Sequence, residues 1–292
     1  MSSPVSPFLG QAPPRLLVAG DLMLDRYVWG DVDRISPEAP VQVLRWRAEN
    51  EALGGAANVA HNLAALGCEA RLLGIVGEDA EGDRFLALAR EAGIDIRFVR
   101  RIAGRPTISK TRLLARSQHV LRVDKEADSF PSGALEGVGG VICSDYLKGV
   151  LTPRFTQTLL AQAKGLRLSA VVDPKGRDYA KYRGARALTP NLAEVALASG
   201  LPVDSEENLG RATRKLLEET RAELVLVTRG AGGMTLFGRE GLLSHEPARA
   251  LEVYDVTGAG DTAAALFGLA LFGGLPPAEA ARLANLGAGI AV

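Results

Sequence analysis

From position 15 onward, short apolar runs alternate with stretches of helical period. The apolar runs stand at 15–21 ("RLLVAGD"), 70–77 ("ARLLGIVG"), 139–146 ("GGVICSDY"), 168–174 ("LSAVVDP") and 222–230 ("AELVLVTRG"). They are rich in Val, Leu and Ile and lack clean polar alternation, which predicts strands buried on both faces of a sheet. Between them the spacing predicts helices over 55–66, 80–92, 153–164, 191–199 and 205–220. Glycines at 67, 93 and 200 supply the stop signal for three of these. A helix over 261–272, "DTAAALFGLALF", is apolar nearly all round and is therefore expected to be central and buried. This rhythm argues for an α/β fold, with a mostly parallel sheet covered by helices on both sides. Two segments break it. Residues 26–48 and 97–125 combine β-branched alternation with turn residues and read as antiparallel strands attached to the main sheet. A small β lid over a site is the functional reading; a plain extension of the sheet is the alternative. Trp29 and Trp46 lie in the first segment, where ordinary burial competes with a dimer contact or a cover for a ligand.

Composition narrows the picture only a little. The 292 residues suit one large α/β domain, and 47% apolar with 23% charged is ordinary for a globular chain. Lys plus Arg equals Asp plus Glu at 34 each, so no global field draws the chain to nucleic acid or to an acidic membrane. No uninterrupted apolar run reaches the roughly 18 residues of a membrane span. Residues 1–14 are proline-rich and lack a basic start followed by an apolar core, so they are expected to be a mobile tail rather than a signal peptide. The two cysteines, Cys68 and Cys143, have neither disulfide-framework nor zinc-site spacing, and a reducing cytoplasm fits them.

The chemistry concentrates in "DVTGAGDT", 255–262. Gly258, Ala259 and Gly260 lead into the apolar helix, so small residues let backbone N–H groups converge on an anion at its positive end. A carboxylate beside such a site has a purpose if the anion is a phosphoryl group in transfer, because Asp261 can then accept the proton of an attacking hydroxyl. A helix-capping aspartate in a tight turn explains the local pattern equally well. Other segments add weight. "LGGAANVAHNLAALG" (53–67) opens on Gly54 and Gly55 and sets Asn58, His61 and Asn62 within one turn. "TPNLAEV" (189–195) puts Asn191 and Glu194 at i, i+3 on a helix start, suited to Mg²⁺ through water or to phosphate. "VTRGAGGM" (227–234) is a glycine-rich turn after a strong strand, able to pass close to a nucleotide. His61, His119 and His245 have no partners at metal-ligand spacing, and neither HExxH nor GxxxxGK[ST] occurs.

Together these motifs resemble those of the PfkB, or ribokinase-like, carbohydrate kinases, over essentially all of 15–292. The N-terminal signature is matched by Gly54, Gly55, Asn58, Ala60, Gly67 and Gly77, and the C-terminal one by Asp255, Thr257, Gly258, Ala259, Gly260 and Asp261. Asn191 and Glu194 match the NxxE motif; Thr228, Gly230 and Gly233 match the TxGxxG nucleotide loop. The stretches 20–43, 107–124, 144–149 ("SDYLKG"), 172–176 ("VDPKG") and 188–191 look like the heptose 7-phosphate kinases of lipopolysaccharide precursor synthesis.

The resemblance implies a single ribokinase-like domain over 15–292, a three-layer sandwich with lid segments 26–48 and 97–125. It implies ATP and Mg²⁺, and transfer of the γ-phosphoryl to the anomeric hydroxyl of D-glycero-β-D-manno-heptose 7-phosphate. Asp261 would be the base, with Gly258, Ala259 and Gly260 stabilising the phosphoryl group. Asp21, Asp25, Gly54, Gly55, Asn58, Asp145 and Lys148 would contact the sugar phosphate, and Lys110, Arg112 and Arg116 its phosphate. Lys175, Asn191, Glu194, Thr228, Gly230 and Gly233 would hold ATP, with Glu194 reaching Mg²⁺ through water. Asp255 and Thr257 would frame a monovalent cation such as K⁺, or Asp255 would only stabilise its turn. Asp21 too has a capping role as its alternative. A homodimer through the lid strands is implied, with no nucleic-acid or membrane partner. Related chains carry a further glycine-containing segment beyond "LGAGIAV" (286–292), and some a fused nucleotidyltransferase domain, so the kinase step alone is expected here. Two alternatives stand beside this: a kinase of another sugar phosphate or a nucleoside, and a catalytically silent sugar-binding regulator on the same fold.

Overall fold

A computed structural model describes residues 14–38, 42–114, 133–248 and 258–291. The apolar runs become the strands β1 (Leu16–Gly20), β4 (Ala70–Gly77), β7 (Gly140–Ser144), β8 (Ala170–Asp173) and β10 (Leu224–Thr228). The first three are buried at every position, as expected of strands covered on both faces. With β5 (Asp95–Ile102), β9 (Ala187–Leu188), β11 (Met234–Gly238) and β12 (Gly241–Glu246) they form one nine-stranded sheet. Its order is β12-β11-β10-β9-β8-β7-β1-β4-β5. All neighbours run parallel except β11 against β10 and β12 against β11.

The helices are α1 (Ala56–Ala65), α2 (Ala80–Glu91), α3 (Pro153–Gly165), α4 (Leu192–Ser199), α5 (Glu206–Thr220), α6 (Ala259–Phe272) and α7 (Pro277–Ile290). Buried residues of α1, α2, α6 and α7 pack on one face of the sheet. Those of α3 and α5, with Val195 of α4, pack on the other. Three layers result, with α6 in the middle of its layer: every residue from Ala263 to Leu271 is buried. Cys68 and Cys143 sit in the two cores, where burial pushes their thiols up to about 11 and about 12, so both stay protonated and inert.

The lid differs in one respect from the sequence expectation. Segment 26–48 is part of a long antiparallel hairpin, β2 (Leu22–Ile35) with β3 (Gln42–Gly55). Segment 97–125 divides. Its first strand, β5, pairs in parallel with β4 at the edge of the main sheet, because α2 forms an ordinary crossover between them. Its second, β6 (Ile108–Leu114), joins the hairpin and runs parallel to β2. Positions 115–125 of that segment, and all but residue 14 of the expected tail, lie outside the described residues.

The chain moves outward from β1 through β4 to β5, then returns to β7 on the other side of β1. Strand order therefore reverses between β1 and β7, and ligands of open α/β sheets collect at the C-terminal ends of strands at such a point. Asp21, Asp145 and Tyr146 follow directly from those two strands, and Asp173 ends the next.

Candidate active site

Two clefts stand out among the described residues. The larger, about 820 Å³, opens at the N-terminal ends of β8, β9 and β10. Three of its four arginines donate to backbone carbonyls: Arg183 to Glu219, Arg186 to Leu271, Arg239 to Arg221 and Ala222. The smaller, about 140 Å³, lies at the C-terminal ends and gathers eight of the expected site residues: Asp145, Lys175, Asn191, Glu194, Thr228, Gly258, Gly260 and Asp261. It also takes in Tyr146, Asp173 and Thr189, which the sequence reading did not single out as site residues. The placement of titratable groups favours the smaller one as the candidate site.

Helix α6 opens on Gly258, whose φ of 86° is left-handed and whose absent side chain makes room for Asn58: a Cβ there would lie 3.0 Å from Asn58 Nδ2. Ala259, Gly260 and Asp261 form the first turn, whose N–H groups have no partner inside the helix. Asp261 is only 5% exposed. Its two oxygens are held separately: Asn58 Nδ2 donates to Oδ2 at 2.9 Å, and the Tyr146 hydroxyl donates to Oδ1 at 2.9 Å. Burial raises the Asp261 carboxyl to about 6; these two donors pull against the rise, Asp25 adds to it, and Lys110 opposes it. A base near neutrality in a closed cleft is suited to proton abstraction. One turn further, Asn62 donates to Thr262 Oγ1 at 3.1 Å, tying α1 to α6, while His61 is exposed and faces away.

Gly55 begins α1 at φ 60°, and a Cβ there would strike the Asp21 carbonyl oxygen at 2.4 Å. Gly54 and Gly55 thus let the end of β3 press against the start of β2, where they pair with Met23 and Leu22. In register with β6, Asp25 stands opposite Lys110 and Tyr27 opposite Arg112. Arg112 lies over the Tyr27 ring at 4.9 Å, and its Nη1 is 3.2 Å from Asp25 Oδ1. Neither of those atoms has an aligned hydrogen bond among the described residues, although both are buried. Lys110 is exposed, and its charge reaches Asp261.

Three expected ligands have other occupations. Asp21 is 0% exposed, and its carboxylate accepts the backbone N–H groups of Tyr146 (2.8 Å), Lys148 (2.9 Å) and Val150 (3.0 Å). Asp145 accepts from Leu147 N (2.7 Å), Lys181 Nζ (2.5 Å) and the Tyr182 hydroxyl (2.7 Å). Asp21 thus spends its carboxylate on the 146–150 loop rather than on the turn that follows it, and Asp145, although it lines the cleft, is held by Lys181 and Tyr182. Lys148 contributes its backbone, donating to Asp21 and accepting from Arg105 Nη2 at 2.8 Å.

On the nucleotide side, Asn191 caps α4 by accepting from Glu194 N, and Glu194 Oε2 accepts from Asn191 N, each at 2.9 Å. Glu194 Oε1 pairs with Lys175 Nζ at 2.5 Å. Asp173 Oδ1 accepts the Thr189 hydroxyl at 3.0 Å. Burial, followed by the charges of Asp261 and Glu194, raises its carboxyl well above the ordinary range. Thr228 ends β10, and Gly230–Gly232 turn the chain into β11, with Gly233 just after them. Arg116, Asp255 and Thr257 lie outside the described residues. Tyr146 and Asp173 had a signal in the sequence, since both stand just after or at the end of a predicted strand, where the site of such a sheet collects.

The model of the pfkB family carbohydrate kinases matches residues 14–292. The chain belongs to that family. The family is one of carbohydrate kinases, which are phosphotransferases, and the fold of this chain is ribokinase-like. The bifunctional protein HldE of Trichlorobacter lovleyi is 46% identical over 290 residues, and that of Geobacter sulfurreducens 46% over 288. These alignments take in 95% and 94% of this chain but 59% of each relative, so the chain spans about three fifths of their length. Among solved structures, Arabidopsis thaliana ribokinase complexed with ribose and ATP superposes with a TM-score of 0.80 at 24% identity. That match covers 95% of this chain and 92% of the other. Thermotoga maritima ribokinase gives 0.76 at 21% identity, covering 96% and 93%.

Proposed function

We propose that this kinase transfers the γ-phosphoryl group of ATP to the anomeric hydroxyl of D-glycero-β-D-manno-heptose 7-phosphate, in the cytoplasm, for lipopolysaccharide core synthesis. The observation that carries the chemistry is Asp261: a buried carboxylate with a pKa of about 6, held by two donors in the first turn of α6, whose N–H groups have no partner inside the helix. The narrower substrate rests on "SDYLKG", "VDPKG" and the 20–43 and 107–124 stretches, together with likeness to HldE over nearly the whole chain.

In this reading Asp261 takes the proton of the attacking hydroxyl as its oxygen bonds to phosphorus. The bond from phosphorus to the β–γ bridging oxygen breaks, and ADP leaves with its electron pair. The first-turn N–H groups at Ala259 and Gly260 face the charge on the transferring group. Asn58, Gly54 and Gly55 border the sugar. Asp25 Oδ1 and Arg112 Nη1, two buried atoms facing each other without aligned hydrogen bonds among the described residues, offer the substrate an acceptor and a donor. The exposed Lys110 would meet the remote phosphate. Thr228, Gly230 and Gly233 line the nucleotide side. Glu194, paired with Lys175, would reach Mg²⁺ through water, since no group of three metal-ligating side chains gathers among the described residues. The ion, when bound, neutralises phosphate charge.

ADP release with ATP, Mg²⁺ and a panel of heptose 7-phosphate, fructose 6-phosphate, ribose and adenosine tests the substrate. Turnover confined to the heptose supports the reading; turnover confined to another member keeps the kinase and replaces the substrate. Asp261→Asn is expected to lower kcat about 10²–10⁴-fold with sugar KM little changed, and near-normal turnover would remove Asp261 as the base.

A further inference from the structure

The 145–150 loop is held more heavily than a connection between β7 and α3 requires. Asp21 alone takes three of its N–H groups. Asp145 takes a fourth, and is itself fixed by a buried lysine, Lys181, and by Tyr182. Arg105, from the approach to β6, clamps the Lys148 carbonyl. Leu147 adopts φ 54°, a left-handed conformation that a leucine takes only where surrounding bonds enforce it. All this fastening bears on one side chain that points into the cleft. Tyr146 is that side chain, and its hydroxyl meets Asp261 Oδ1.

We propose that Tyr146 is the positioning residue for the Asp261 carboxylate, and that the buried Asp21 acts on the reaction through Tyr146 rather than on the sugar. Asn58 holds one oxygen of the base from α1, and Tyr146 holds the other from the opposite side of β1. Two fixed donors leave the carboxylate one orientation, with its remaining lone pairs toward the cleft. Burial and the charges of Asp261, Asp173 and Asp25 push the phenol far up, so Tyr146 keeps its own proton and stays a donor. Tyr146 is therefore not a second base.

This rests on Asp261 being the base, so Asp261→Asn is assayed beside Tyr146→Phe and Asp21→Asn with heptose 7-phosphate. Tyr146→Phe keeps the ring and is expected to lose about 10–100-fold in kcat, as a misplaced reacting group does, with sugar KM within about threefold of the parent. The acid limb of its kcat profile should move to higher pH, since one donor to the carboxylate is gone. The charged or titratable groups facing Asp261 from other elements, Asp25 on β2, Lys110 on β6 and Asp173 on β8, are unchanged in the variant. Asp21→Asn should reproduce the kcat loss, and the double variant should lose no more than the larger single. A readout independent of turnover is the carboxyl ¹³C titration of Asp261, assigned by its disappearance in Asp261→Asn. It should move up in both Tyr146→Phe and Asp21→Asn. Unchanged kcat and unchanged titration in a folded Tyr146→Phe would overturn the proposal, as would a loss confined to sugar KM. Full turnover in Asp261→Asn would overturn the base reading instead.

Discussion

At the scale of single residues, the balance on Asp261 sets a pH and stability signature. Its carboxyl titrates at about 6 in the fold against an ordinary 3.8, because burial outweighs two hydrogen bonds. An acid raised in this way holds its proton more tightly folded than unfolded. The stability it contributes is complete below about pH 3.8 and is lost as pH rises through about 6. At neutral pH the ionised carboxylate thus costs the fold on the order of 2–3 kcal/mol. Asp261→Asn should consequently melt higher relative to the parent at pH 7.5 than at pH 4, as calorimetry at the two pH values would show. The parent's kcat should fall about tenfold per unit below pH 6, because the base must be ionised to work. Function and stability pull in opposite directions at this one side chain.

At the scale of elements, α6 shows how a sequence pattern becomes a site. Its continuous apolar character predicted burial, and the helix is indeed enclosed from Ala263 to Leu271. The Gly-Ala-Gly start was legible as the opening of this helix, but the closeness of Gly258 to Asn58 was not, since it depends on α1 lying alongside. Gly258→Ala places a methyl at φ 86° and 3.0 Å from Asn58. It is expected to cost about 1–2 kcal/mol of stability and to displace Asn58 from Asp261, so kcat should drop as well; thermal melting and steady-state kinetics together check this. The lid strands were less legible. Segment 97–125 reads as one unit because β-branched alternation looks alike in a lid strand and in an edge strand of the main sheet. Only pairing partners, β4 for one half and β2 for the other, separate them. At Asn191 and Glu194 the local reading was of a ligand pair, and what the structure shows is the two capping α4.

At the scale of the whole molecule, the reversal of strand order between β1 and β7 explains why one end of the sheet holds the chemistry. Five strands deliver Asp21, Asp145, Asp173, Thr189 and Thr228 to the same rim, and α6 brings Asp261 over it from one side. The β2–β3 hairpin projects from that rim with Trp29 40% and Trp46 61% exposed. We expect this sheet to face its counterpart in a second copy of the chain. Light scattering should then give a dimer mass, Trp46→Glu should lower it toward the monomer, and a monomeric parent would refute the expectation.

Much of this protein is written locally. Apolar runs bounded by glycine and helical periods determine which segments are strands and helices. Short motifs such as "GAGD" and "NLAE" mark residues whose chemistry is usable wherever the fold places them. Tertiary structure decided what a one-dimensional pattern cannot hold: which carboxylates face the cleft and which face inward. Asp21 and Asp261 look alike in sequence, each beside glycine at the end of an apolar or small-residue run. Asp21 meets three N–H groups of a loop more than a hundred residues away and is consumed by them. Asp261 meets two side-chain donors and keeps lone pairs toward the cleft. The difference lies in long-range hydrogen bonds, and those exist only once β1, β7, α1 and α6 have packed together.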